Sequence, residues 1–406
     1  MDSLITAAAR ALAAGDAIGA LNRVALRDDA PALALRGIAM AQLGEYARAT
    51  ALLRSAERGF GSKQAVARAR CVVAEAEIAL VSRDLNWPVK RLDAARLALV
   101  ARGDPVNAAH AGHLQIQRLL LIGRIEAAEH LLAGFDPAPL PPASLAAHAL
   151  VVAGIALRRL QTGRARDAVA RARRAADAAD IPALTAEVES AAHSLDRPAA
   201  RLIAGGEARA MRLDEVEALF ASDLLVIDAC RHALRDPRGV VTLATRPILF
   251  ALARLLGEAW PNDVSREALL RGAFGARHAD ESHRARLRVE IGRLRAALSA
   301  LAGIGATGRG FALRPHGTRR VVVLAPPIDD DHRAVLALLA DGEAWSSSAL
   351  ALALGASQRT VQRALDALAA SGKARPVGRG RARRWMMPPA IGFTTSLLLP
   401  GPLPVG

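Results

Sequence analysis

Arginines crowd two stretches of this chain. In the first, Arg284, Arg286, Arg288 and Arg293 lie within HRARLRVEIGRLRAAL, and Arg309 lies within the glycine-cornered GIGATGRGFAL. The second opens with Ser357, Gln358, Arg359, Thr360, Gln362 and Arg363 and continues through Arg379, Arg381 and Arg383. From Arg359 to Arg384 there are eight basic residues and one acid, Asp366. A guanidinium fork can pair bidentately with a guanine edge and a glutamine amide with adenine, each worth about 1–3 kcal/mol of discrimination. Contacts to phosphate position a protein on the duplex without reading its sequence. The chemistry suggested is recognition of double-stranded DNA.

Helices and hairpins must present these groups. Leu287, Ile291, Leu294 and Leu298 recur at three- and four-residue spacing, which predicts a helix with one buried stripe and arginines on its other faces. Before it, VSREALLRGAFG predicts a short helix capped by Ser265, and after it TGRGFAL predicts a hairpin. Thr245 precedes Arg246-Pro247 and reads as the cap of a further helix carrying Leu249, Leu252 and Leu255. In the second stretch, HRAVLALLADG, SSSALALALG and SQRTVQRALDALAASG predict three helices with a turn at Gly355. Val361, Leu365 and Leu368 then face inward, and Gln358, Arg359, Gln362 and Arg363 lie near the outer N-terminal side of the third helix, the part of a recognition helix that meets bases. KARPVGRGRARRWMM follows as strand, Gly-Arg-Gly corner and return strand.

VSREALLRGAFG resembles the second-helix segment of the OmpR/PhoB-type winged-helix DNA-binding domain, and IGRLRAAL resembles the end of that family's recognition helix. LLVIDACRHALR and GVVTLATRPILFALARLL are similar to its leading strands and first helix, and TGRGFAL to its wing. The resemblance runs from about Asp223 to about Val323, a domain's length. It implies that Arg284, Arg286, Arg288 and Arg293 sit in or beside the major groove, with Arg309 at the wing. Ala285 and Thr307 stand where the family often carries arginine, so its base preferences do not transfer. The segment from His332 onward resembles the winged helix-turn-helix of MarR-like regulators in its serine cap, its arginine-threonine-valine core and its following glycine.

The whole chain fits a polyanion partner. Its 406 residues carry a formal net charge of +15, and the isoelectric point is about 11.3. That field attracts nucleic acid at physiological pH. An arginine-rich composition could inflate the isoelectric point on its own, but the clustering at Arg359 to Arg384 argues against composition alone. The chain is 52% hydrophobic and only 3% aromatic, which points to helices packed through small residues. Cys71 and Cys230 are far apart and suggest neither a disulfide framework nor a cysteine metal site. With no apolar run of about eighteen residues and no signal pattern, a cytoplasmic protein without membrane contact is expected.

From Met1 to about Leu195 the chain reads as helix after helix. Breaks at Gly15, Gly44, Gly123 and Gly163 are each followed by an alanine five residues on, and a unit around Ser82 to Ala94 lacks the glycine. Spacings of about 30 to 40 residues are those of stacked helical hairpins. ALALRGIAMAQLGEYARATALLRSAERGF resembles a tetratricopeptide repeat through Leu43, Gly44, Tyr46, Ala49, Leu53 and Ala56; the other units match poorly, which favours an irregular α-solenoid. Its candidate partners are a protein, a small molecule or a second copy of the chain, and a scaffold role stands level with them. FDPAPLPP links two parts of the array, and the Gly205-Gly206 pair in LDRPAARLIAGGEARAMRLDE reads as a hinge.

Other motifs lead elsewhere. Gly303 to Gly308 satisfies GxGxxG, but it follows a helix and enters a hairpin, whereas a nucleotide site needs it between strand and helix. His110, His113, His130 and Glu126 lack the further ligands a zinc site needs and read as core or surface residues. No nucleophile elbow, phosphate loop or paired carboxylates appear, so neither an enzyme nor a cofactor is expected. Nor does the first half alternate strands and helices as a phosphorylated receiver domain would.

The expected fold is mainly α: an N-terminal α-solenoid of helical hairpins (1–197), a linker with a helix (198–220), two small α+β winged-helix domains (221–323 and 332–389) separated by a linker (324–331), and an apolar tail (390–406). The expected function is a DNA-binding transcriptional regulator. Two other readings share the features: a protein-interaction adaptor, and an accessory protein of DNA processing or mobile elements.

Overall fold

The computed structural model describes residues 2–138, 140–274, 281–317, 319–327, 332–339, 343–370, 373–378, 380 and 383–387. The chain is mainly helical, with small sheets confined to its C-terminal part. It divides into two compact units, one made of Met1–Ser194 with His332–Gly406 and the other of Leu195–Asp331. Among the described residues, no helix is long and apolar enough to cross a membrane. The tail at 390–406 lies outside the described residues.

The first unit opens with helices α1 (Ser3–Ala13), α2 (Ala17–Val24), α3 (Ala30–Gln42), α4 (Tyr46–Gly59), α5 (Ala65–Val81), α6 (Val89–Ala101), α7 (Pro105–Leu121), α8 (Ile125–Ala133), α9 (Pro142–Arg158), α10 (Thr162–Ala179) and α11 (Pro182–Asp196). Aspartates start several of them: Asp16 accepts from the Gly19 N–H at 2.7 Å, and Asp29 from that of Ala32 at 3.2 Å. Such caps are worth about 1 kcal/mol each. Small residues then let neighbouring helices approach. A Cβ on Gly37 of α3 would stand 2.8 Å from Leu53 Cγ of α4, and Ala49, Leu53 and Ala56 are wholly buried there. One core joins α1, α2 and α3, the next α3, α4 and α5, the next α5, α6 and α7, so each helix pair completes its core with its neighbours.

The corners follow the glycine reading only in part. Gly15, Gly44 and Gly123 turn at positive φ, as does Gly103. Gly163, read as a break, lies inside α10; Leu160 makes that turn at φ 58°. In the unit without a glycine, Arg83 adopts φ 53° in its place.

A polar seam runs through this apolar packing. The His110 Nε2 and Glu77 Oε2 atoms are 2.9 Å apart, and His113 Nε2 lies 3.2 Å from His148 Nδ1. His110 and His113 are buried and His148 is half-buried, whereas His130 is exposed and Glu126 forms an ion pair with Arg159 at 3.3 Å. Burial pushes the His113 imidazole down to about 3, helped by the neighbouring His110 and His148. Burial also raises Glu77, against the pull of His110.

The second unit contains β1 (Ala200–Ala204), β2 (Glu207–Met211), α12 (Leu213–Phe220), β3 (Leu225–Asp228), β4 (Ala233–Asp236), β5 (Gly239–Thr242), α13 (Pro247–Glu258), β6 (Val264–Ser265), α14 (Arg266–Phe274), α15 (Glu281–Leu298), β7 (Ala302–Ala306), β8 (Gly310–Pro315) and β9 (Val321–Ala325). One sheet has the order β2-β1-β9-β3-β4-β5 and a second the order β6-β8-β7. Strand β9 pairs parallel with β3 and antiparallel with β1. This corrects the linker part of the expected linker with a helix at 198–220, whose helix is α12. Ala204 pairs with Glu207 across the Gly205-Gly206 corner, and both glycines have positive φ, the conformation a two-residue hairpin turn demands. The expected hinge is a turn within a sheet, and Leu324 and Ala325, assigned to a linker, are the last residues of β9.

Against this sheet α13 packs Leu249, Leu252, Ala253 and Leu256; α14 adds Leu269 and Leu270, and α15 adds Leu287, Ile291, Leu294 and Leu298. Gly257 is a point of close approach, since a Cβ there would come 2.1 Å from Ile227 Cδ1. Ser265 caps α14 by accepting from the Ala268 N–H at 3.1 Å. Thr245 does not cap α13: Arg246 occupies that position without a side-chain bond, and Pro247 supplies the preset φ.

The first unit resumes with α16 (Arg333–Leu339), α17 (Ser347–Leu354), α18 (Gln358–Ala370), β10 (Arg375–Val377) and β11 (Arg384–Met386). Trp345 and Trp385 exchange backbone hydrogen bonds of 2.7 Å in both directions, which ties the segment before α17 to the hairpin. Both indoles are essentially buried among Val335, Leu339, Leu350, Val361, Leu365 and Leu368.

The seam sets an acid limit on stability. Unfolded His113 would titrate near 6.5 and folded His113 near 3, so the unfolded chain binds the extra proton between these values and stability falls as pH drops through that window. Replacing His113 with leucine is expected to remove that loss, on the order of a few kcal/mol. Urea midpoints of the two proteins should shift in favour of the variant between about pH 7 and about pH 4. Glu77 is common to both proteins and its raised value acts with the opposite sign, so it cannot produce that divergence.

Candidate nucleic-acid interface

On α15 the buried stripe fixes where the arginines point. At about 100° per residue, Arg284, Arg288 and Arg295 fall on one flank of the stripe and Arg286 and Arg293 on the other. Between the flanks, facing away from the core, runs a ridge of Ala285, Val289, Gly292 and Ala296, all exposed. The arginines therefore border a ridge of small residues instead of forming one basic face.

Most of them also have local partners. Arg288 pairs with Glu281 at 3.1 Å and Arg284 with the same carboxylate at 3.7 Å. Arg293 pairs with Glu290 at 2.8 Å, and the Arg286 guanidinium lies 4.9 Å from the centre of the Phe274 ring. Arg295 is spent on structure, donating to the Ile304 carbonyl at 2.8 Å. Arg246 and Arg293 line an open cavity of about 450 Å³ with Pro247, Ile248, Leu249 and Glu290.

The hairpin β7–β8 is braced by residues whose role the sequence did not disclose. Arg266 donates to the Gly308 carbonyl at 3.0 Å and to that of Thr307 at 3.2 Å, joining the start of α14 to the turn. Thr307 donates to Asp263 at 2.6 Å and accepts from the Gly310 N–H at 2.9 Å. The threonine noted as a departure from arginine thus shapes the turn, and Arg309 is left exposed beside it. The GxGxxG stretch occupies β7 and this turn, with no helix following.

On α18, Val361, Ala364, Leu365 and Leu368 are buried, which turns Arg359 and Arg363 to the opposite face. Both are exposed, and neither has an ion pair among the described residues. Gln358 donates to Ser347 at 3.1 Å and Gln362 to Asp366 at 2.9 Å. Ser357 starts the helix by accepting from the Thr360 N–H at 3.2 Å, and the two hydroxyls lie 2.8 Å apart. The glutamines offered as base readers are thus held by neighbours. In the hairpin, Gly378 and Gly380 turn at positive φ, and Arg383 is exposed over the Trp385 ring at 4.3 Å. Arg379 and Arg381 lie outside the described residues. Among those described, no group of three or more His, Cys, Asp or Glu is placed to hold a metal ion.

Gly310 has no room for a side chain, because a Cβ would stand 1.9 Å from the Val264 carbonyl oxygen. Gly310→Ala is expected to separate β6 from β8 and cost about 1–3 kcal/mol, read as a lower urea midpoint; an unchanged midpoint would show that this close approach is not needed. The chain matches no protein-family model and no curated protein sequence.

Proposed function

We propose that the chain is a DNA-binding transcriptional regulator in which two winged-helix modules meet the duplex and a helical array serves as its sensing or assembly domain. The observation that carries this reading is the outward pair Arg359 and Arg363, free of ion pairs among the described residues, on a helix whose opposite face is buried. Glycine corners follow in a hairpin whose sequence between Val377 and Arg384 is basic. Helix α18 acts as a recognition helix and the hairpin as its wing.

Helix α15 plays the same part in the second unit, with a different balance. Its small-residue ridge can enter a major groove, where alanine and valine meet thymine methyl groups. The flanking Arg284, Arg288, Arg286 and Arg293 reach the phosphates on either side, and Arg309 extends the contact at the wing. This module chiefly positions the protein, while α18 and its wing supply more of the affinity. The array of α1 to α11 is an irregular α-solenoid, and its overlapping cores of successive helices support that reading.

Fluorescence anisotropy with a random duplex of about 30 base pairs tests the reading. Binding should be submicromolar at low salt and weaken steeply as salt rises. Replacing Arg359 and Arg363 together with glutamine should flatten the log–log salt slope by roughly 2, one for each lost phosphate contact. An unchanged slope would remove α18 from the interface. Glu281→Gln should tighten binding two- to threefold by freeing Arg284 and Arg288 from their shared carboxylate, and weaker binding would show that the ion pair prepares the arginines instead.

A further inference from the structure

The corner between α5 and α6 belongs to two cores at once. Trp87 packs into the core shared by α5, α6 and α7. Two residues earlier, Leu85 packs among Val335, Leu336, Leu339, Trp345, Leu350 and Leu365, the core of the α16–α18 module. Leu85 is 2% exposed although it sits at a helix corner. Leu80, Leu121 and Ile122 border the same cluster, so the C-terminal ends of α5 and α7 share this contact.

Polar contacts fix the register. Asn86 donates to the Ser348 hydroxyl at 3.2 Å. Arg118 of α7 donates to the Leu85 carbonyl at 3.1 Å, holding the corner from the array side. Arg83, in a left-handed conformation that bulky residues seldom adopt, donates to the Leu80 carbonyl at 2.9 Å. Its guanidinium stands 5.4 Å from the Trp345 ring centre. A glycine would make this turn with less strain, but it would forfeit the contact with Trp345.

The contact leaves the reading surface free. It engages the inner faces of α16, α17 and α18 and the Trp345 segment, while Arg359 and Arg363 on the opposite face of α18 remain exposed. A corner that covered the reading surface would block DNA; one that fills the core behind it holds the helix ready.

We propose that the α5–α6 corner is a brace: Leu85, Arg83 and Asn86 hold the α16–α18 module in its DNA-competent arrangement, so that a change in the array is transmitted to α18 through this corner. The brace gives a route by which the array can govern binding, and its functional half rests on the DNA-binding reading above.

The test uses the full chain with the exposed Cys230 replaced by serine, carrying Asn86→Cys and Ser348→Cys. Dibromobimane bridges thiols a few ångströms apart and becomes fluorescent when it does. Bridging within one chain is expected for the double variant and not for either single variant, and the bridged protein should bind a random duplex within twofold of the unbridged protein. Separately, Arg83→Gly and Leu85→Asp should each speed amide exchange in α16–α18 at least tenfold, with residues 195–331 unchanged, and should weaken DNA binding. Arg83→Gly keeps the corner's turn, so it decides the matter if Leu85→Asp also loosens α1–α4. Absence of bridging, or unchanged exchange in α16–α18 of Arg83→Gly, would overturn the brace. Bridged protein that binds at least tenfold more weakly would overturn it too, by making the docked state inhibitory. Bridging and exchange need no DNA, so a wild-type chain that bridges but ignores the duplex would sink the DNA reading and leave the contact standing.

Discussion

Burial of the stripe Leu287, Ile291, Leu294 and Leu298 governs the geometry of the second unit. Each such side chain contributes about 1.5–3 kcal/mol when removed from water, whereas an exposed ion pair contributes about 0–1 kcal/mol. The core therefore decides how α15 rotates, and the arginines take the flanks this rotation leaves them. Their pairing with Glu281 and Glu290 is a weak, exchangeable use of charge. On the DNA-binding reading proposed above, a phosphate can replace either carboxylate at small cost, so these pairs would lower affinity without preventing contact.

The same ordering of energies shapes the helical array. Alanines bring the helices close, and each core closes only when the next helix arrives. Into this packing the chain places Glu77, His110, His113 and His148, whose polar atoms would each cost several kcal/mol if buried without partners. Glu77 and His110 satisfy one another, and His113 reaches His148 through Nε2 while its Nδ1 is buried without a hydrogen-bond partner among the described residues. The seam joins α5, α7 and α9, helices that do not follow one another in sequence, and so supports the stacking across hairpins while making it sensitive to acid.

Features set by local periodicity were legible in the sequence. The stripes of α15 and α18, the Ser265 cap and most of the glycine corners all lie within a few residues of the signals that announce them. Features set by distant partners were not. Strand β1 pairs with β9 far along the chain, and a Gly-Gly pair looks the same in a hinge as in a hairpin turn. Arg83 and Leu160 make turns that glycine would signal, and Arg83 also stands over the distant Trp345 ring. At the candidate interface the arginines could be read off the sequence and their balance could not. Glu281 lies three and seven residues before Arg284 and Arg288 yet takes both, and Thr307 proved to be a bracket for the turn.

This balance distinguishes the two arginine-bearing helices. On α15, Arg284, Arg288 and Arg293 start from carboxylate partners, so on the proposed DNA-binding reading each phosphate contact would exchange one anion for another and gain only the difference. On α18 the lone acid, Asp366, is engaged by Gln362, and Arg359 and Arg363 start from water. A guanidinium that begins solvated gains the full screened attraction of the duplex together with the release of its counterions. Helix α15 carries five arginines and α18 two, yet on the proposed DNA-binding reading each arginine of α18, whose lone acid is engaged elsewhere, would hold the phosphate backbone more strongly. That asymmetry comes from the placement of Glu281, Glu290 and Asp366, three acidic residues that a count of basic ones passes over.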